Sequence, residues 1–96
     1  MNINFNRNGE ELQVSVEGRL DTITAPDFES ALINNSNGVS SVVIDCEKLV
    51  YVSSAGLRVL LSTHKRMKGA MKLINVCELV MEVFEMTGFS NILVIE

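Results

Sequence analysis

The spacing of apolar residues along this chain switches repeatedly between every second residue and helical intervals, and this constrains its fold more than any other feature. Ile3 and Phe5 face one way while Asn2, Asn4 and Asn6 face the other. Leu12, Val14 and Val16 alternate in the same manner with Gln13, Ser15 and Glu17. A period of two belongs to strands with one buried face. Asn8-Gly9 lies between the two segments and suits the positive φ values of a type I′ turn. The reading is a β-hairpin with one wet face.

Helical spacing begins at Thr24. Thr24 serves as N-cap with Asp27 at N3, a variant of the capping box, and Ile23 and Phe28 occupy the positions of a hydrophobic staple. Pro26 falls in the first turn, where its missing N–H costs nothing. Phe28, Ala31 and Leu32 mark the buried face, and Asn34 to Gly38 end the helix. Residues 41–46 contain a continuous apolar run, which suits a strand covered on both faces.

A second helix starts near Ser53 or Ser54, with Leu57, Leu60, Leu61 and His64 on one face. Lys65, Arg66 and Lys68 meet the negative end of its dipole, and Gly69 is the natural C′ residue. Residues 71–76 form another strand. Residues 78–87 form a third helix stopped by Gly88, and 91–95 close the chain as a buried strand. The order β-β-α-β-α-β-α-β predicts an α/β fold, with parallel pairings through right-handed crossovers plus one antiparallel hairpin.

At 96 residues there is room for one domain. The net charge of −4 disfavours a phosphate backbone as partner, so no nucleic acid is expected. Two cysteines, Cys46 and Cys77, sit in apolar runs and fit a reducing cytoplasm better than a disulfide scaffold. The N-terminus lacks a signal-peptide pattern, and no run reaches the length of a membrane span. The expectation is a soluble cytoplasmic protein.

Catalytic patterns are missing. One His cannot build a multi-His metal site, and Cys46, Cys77 and His64 show no ligand spacing. His64 lies ten residues beyond Ser54, roughly 15 Å along a helix, too far to touch its hydroxyl. No nucleophile elbow, phosphate loop or dinucleotide fingerprint is present. The reading is a protein that is not an enzyme and needs no cofactor.

The informative stretch runs from Leu49 to Leu61. An apolar run is followed by Ser53-Ser54, then Ala55-Gly56, then an amphipathic helix. Two readings fit. In one, a serine merely caps a helix. In the other, a serine at a helix N-terminus accepts a phosphate, whose charge that terminus stabilises while any interface packed over it is lost.

Tyr51-Val-Ser-Ser-Ala-Gly-Leu-Arg-Val-Leu-Leu61 resembles the signature of the STAS-domain anti-sigma factor antagonists. Glu17 to Ala25 resembles the family's Gly-x-Leu-Asp loop, Val42 to Asp45 its central strand, and Val83 to Ser90 its final helix and turn. The resemblance covers essentially the whole chain, 1–96, as a single STAS domain. It implies a mixed β-sheet with an N-terminal hairpin and α-helices packed mainly against one face.

The resemblance further implies partner switching. The unmodified protein binds an anti-sigma factor serine kinase of the histidine-kinase-like ATPase fold, freeing a sigma factor. Phosphorylation ends that binding, and a PP2C-type phosphatase restores it. Carried over by position, the modified residue is Ser54. The family's usual Asp position holds Ser53, an alternative acceptor. Asp21 matches the family's loop Asp, and Thr22, Ser53, Gly56 and Arg58 complete the partner-binding neighbourhood. Arg58, one turn beyond Ser54, can pair with phosphate or with an acidic partner. The competing reading, prompted by the missing Asp, is a non-enzymatic scaffold subunit of a lipid-transport or stress-signalling complex.

Overall fold

The computed structural model, which describes residues 1–96, keeps the expected order and adds one 3₁₀ turn. Strands β1 (Asn2–Asn8) and β2 (Glu11–Leu20) form the hairpin, followed by helix α1 (Ala25–Asn35) and strand β3 (Ser41–Val52). Helix α2 (Ser54–Arg66), strand β4 (Met71–Ile74), helix α3 (Glu78–Thr87), the 3₁₀ turn (Phe89–Asn91) and strand β5 (Val94–Ile95) complete the chain.

The hairpin loop differs from the expected one. Asn8 pairs with Glu11, so the loop is Gly9-Glu10, and only Gly9 has positive φ, at +64°. Glycine at the first central position is the pattern of a type II′ turn, not type I′.

The sheet order is β1-β2-β3-β4-β5, antiparallel at the first pair and parallel at the other three. Each parallel connection advances one strand in the same direction. Right-handed crossovers that always advance one way place every helix on the same face. Burial follows: Leu12, Val14, Val16, Val42, Ile44, Met71 and Leu73 are buried, whereas Gln13, Ser15, Glu17 and Glu47 are exposed.

Residues 41–46 are therefore not covered on both faces. Val43 and Asp45 point to the face without helices and are only half-buried. The last strand is also shorter than 91–95. The 3₁₀ turn takes its first residue, and at the sheet edge Ile92 and Val94 stay about half exposed while Leu93 alone is buried.

Twenty buried residues form one contiguous core, aliphatic except for Cys46, Met71 and two large aromatics, Phe28 and Phe84. Ile23, expected to staple onto Phe28, is 83% exposed. Helix α2 ends in a Schellman arrangement: Lys68 N donates to Lys65 O (3.0 Å) and Gly69 N to His64 O (2.9 Å). Lys68, at φ +55°, thus occupies C′ in place of Gly69. Gly88 ends α3 at φ +81°, as expected.

The site is placed by a ribbon extending past the rest of the sheet. Pairing of β1 with β2 stops at Glu17, and pairing of β4 with β3 stops at Asp45. Beyond a first register shift, and across a second between Gly18 and Arg19, Gly18–Leu20 and Leu49–Val52 pair only with each other. Their carboxyl ends carry two neighbouring loops, the usual place for a site on parallel strands.

Candidate functional site

The two loops meet at Leu20. Ser53 N donates to Leu20 O at 2.9 Å, tying the start of α2 to the end of β2. The first turn of α2 lies close against Leu20. A Cβ on Gly56 would come 2.7 Å from Leu20 Cγ and 2.9 Å from Leu20 O, so only glycine fits. Gly56 is buried and shapes the site from within, offering no surface to a partner.

Ser53 is the N-cap. Its backbone is extended, and its hydroxyl oxygen accepts from Gly56 N at 3.4 Å. It is half-buried. Ser54 is the first helical residue, is exposed, and makes no side-chain hydrogen bond within the chain. The adjacent hydroxyls therefore differ: one is engaged in holding the helix start, and the other faces outward.

Asp21 organises the first loop. Its Oδ1 accepts from Ile23 N (3.0 Å) and Thr24 N (3.1 Å). The Thr24 N–H, with help from the Ile23 N–H, the Thr24 hydroxyl and the Arg19 charge, holds the Asp21 carboxyl below its ordinary value against some desolvation. Arg19 Nε lies 3.7 Å from Asp21 Oδ2, and the Arg19 guanidinium stacks 4.2 Å from the Tyr51 ring centroid.

This network displaces the expected capping box. Thr24 has helical backbone angles and no capping bond; its hydroxyl donates to Arg19 O at 2.8 Å instead. The carboxylate of Asp21 takes the Thr24 N–H that the Asp27 side chain was expected to accept. Asp21 and the serines stand on adjacent loops, yet no hydrogen bond joins their side chains.

Thr22 and Arg58 are exposed. Both line a groove of about 710 Å³ between α1 and α2, with Ala25, Pro26 and Glu29 on one side and Ala55, Val59 and Lys65 on the other. The sequence reading missed this groove. Its only local signal is the recurrence of Arg58, Ser62 and Lys65 along one edge of α2.

Elsewhere, no three His, Cys, Asp or Glu side chains gather as a metal site would require. Burial pushes the Cys46 thiol up to about 12, whereas Cys77 is half-buried with its Sγ 3.5 Å from Leu49 O. No helix is long and apolar enough to cross a membrane.

Comparison with known proteins follows the same lines. The STAS-domain family profile matches residues 2–96. The anti-sigma-B factor antagonist of Bacillus subtilis is 29% identical over 97% of this chain and 88% of its own length. BtrV of Bordetella bronchiseptica, assigned as an anti-sigma factor antagonist, is 37% identical over 80% of this chain and 70% of its own. The Bacillus anti-sigma factor antagonist SpoIIAA shares the fold. Its unphosphorylated form gives a TM-score of 0.81 at 17% identity, covering 99% of this chain and 88% of that one. Its phosphorylated form gives 0.74 at 15% identity, covering 99% and 91%. By profile, sequence identity and fold, the chain belongs to the STAS-domain family of anti-sigma factor antagonists.

Proposed function

We propose that this chain is a cytoplasmic partner-switching antagonist whose state is set by phosphorylation of Ser54. In the unmodified state it binds an anti-sigma factor that is itself a serine kinase, and a sigma factor is released. The kinase transfers a phosphoryl group to Ser54, binding is lost, and a PP2C-type phosphatase reverses the modification. One observation carries this reading: Ser54 is an exposed hydroxyl at the first position of α2, free of internal bonds. Ser53 is the poorer acceptor because it is half-buried and already caps the helix.

The energetics support a switch without unfolding. A negative charge at a helix N-terminus is stabilised by about 0.3–1 kcal/mol. Weakening a partner a hundredfold takes about 2.8 kcal/mol. Burying an unpaired phosphate dianion under that partner exceeds this. SpoIIAA, which has this fold, is known in phosphorylated and unphosphorylated forms.

The test mixes the protein with the anti-sigma factor kinase of its own organism and ATP, and maps the product by mass spectrometry. Wild type and Ser53→Ala should gain one phosphate at residue 54 and release the kinase. Ser54→Ala should stay unmodified and bound. Phosphate acquired by Ser54→Ala, with normal release, refutes the assignment.

A further inference from the structure

The charges of this protein are segregated. Residues 54–68 hold four of the eight Lys and Arg residues and none of the twelve Asp and Glu. The four cations elsewhere are all engaged internally. Arg7 donates to the carbonyls of Asn37 (2.7 Å) and Gly38 (3.0 Å). Arg19 pairs with Asp21 (3.7 Å), Lys48 with Glu17 (3.7 Å) and Lys72 with Glu96 (3.5 Å). Arg58, Lys65, Arg66 and Lys68 take part in no ion pair.

Helix stability accounts for part of this set. Lys65, Arg66 and Lys68, at the C-terminal end, face the negative pole of the dipole. Arg58 stands in the second turn, where the dipole does not reward a cation. Arg58 and Lys65 share an edge of α2, seven residues apart, and both line the groove against α1. Their separation along the axis is about 10 Å. The groove's apolar surface comes from exposed Pro26 and half-buried Ala55 and Leu61, over the buried Ala25 and Val59, and its one carboxylate is Glu29.

We propose that this groove docks an acidic, amphipathic segment of the anti-sigma factor. Its carboxylates pair with Arg58 and Lys65, and its apolar side chains cover Pro26, Ala55 and Leu61. Two carboxylates about two helical turns apart match that spacing. A chain of net charge −4 is a poor ligand for nucleic acid, and an apolar floor suits a protein segment better than a phosphate backbone. The inference rests on the switching function above and extends it. Ser54 lies four residues before Arg58, at neighbouring positions on the helix surface, so a phosphate there draws Arg58 away from the partner.

The test measures binding of the same purified kinase to the unphosphorylated protein by titration calorimetry, at low and high NaCl. Arg58→Glu and Lys65→Glu should each weaken binding at least tenfold and flatten its salt dependence. Glu29→Gln should tighten it about two- to threefold. Arg66→Glu, outside the groove, should change it less than threefold. Circular dichroism melts check that each variant folds. Wild type that never binds the kinase, or stays bound once phosphorylated, defeats the switching function itself. Wild type that binds and releases, with Arg58→Glu and Lys65→Glu unaltered, overturns the groove alone. Equal losses for Arg66→Glu and Arg58→Glu overturn it too. So does tight wild-type binding of a labelled strand of about 20 nucleotides that both groove variants abolish.

Discussion

Replacing Gly56 by alanine tests how the site is built. In an ordinary helix this change stabilises, because glycine costs about 1 kcal/mol relative to alanine. Here the new methyl meets Leu20 Cγ at 2.7 Å and Leu20 O at 2.9 Å. Carbon contacts settle near 3.5–4.0 Å, so the first turn of α2 must retreat by about 0.8 Å or more. Leu20 cannot yield instead: its side chain is fully buried, and its carbonyl is anchored in the strand and bonded to Ser53 N. Overpacking of this kind costs about 1–3 kcal/mol. Stretching the 2.9 Å Ser53–Leu20 bond adds about 0.5–1.5 kcal/mol. Less the propensity gain, the net loss is about 1–3 kcal/mol. For a domain near 100 residues that lowers Tm by roughly 5–20 °C. Thermal melts and urea titrations followed by circular dichroism measure it, with an unchanged urea slope showing that the unfolded state is unaffected. A Gly56→Ala protein that melts at or above wild type refutes the close packing of α2 on β2.

Two further outcomes follow from the titrating groups. Asp21 has its folded pKa lowered, so its contribution to stability is present above the ordinary carboxylate value and is lost as pH falls through the folded value. Asp21→Asn keeps an oxygen acceptor for Ile23 N and Thr24 N, and its urea stability should fall less than that of wild type between about pH 5 and pH 2.5; parallel curves contradict the network. Cys46 has its folded pKa raised from 9.0 to about 12, so its contribution is intact below pH 9 and disappears as pH climbs toward 12. By pH 10.5 wild type should have lost about 2 kcal/mol that Cys46→Val retains, and equal alkaline losses argue against a buried thiol.

How much could be read from the sequence depended on the range of the interaction involved. The inward faces of Leu12, Val14 and Val16, and of Leu57 and Leu60, were legible because each period lies within one element. The Ser53 cap was legible because it joins residues three apart. Val42-Val43-Ile44 misled, because an apolar run does not say which face the helices take. That is decided by a strand order spanning the whole chain. Thr24 misled for a closer reason: the Asp21 carboxylate, three residues earlier, takes the Thr24 N–H that Asp27 would have accepted, and the Thr24 hydroxyl turns to Arg19 O. The groove escaped notice because Pro26 and Val59, 33 positions apart, meet only after folding.

The site's geometry lets the proposed phosphorylation of Ser54 act while the fold stays intact. Around Ser54 the neighbouring residues are bound into the fold. Ser53 caps the helix and bonds Leu20, Gly56 packs on Leu20, and Leu57 N donates to Ser53 O at 2.9 Å. The Ser54 hydroxyl has no such partner, so an added phosphate breaks none of these bonds. It also sits at the helix end that favours negative charge. Phosphorylated protein should therefore unfold at a temperature no lower than the unmodified form, even as its partner dissociates. A clear drop in Tm on modification of Ser54 would mean that the serine serves the fold as its neighbours do, and that release follows from local unfolding.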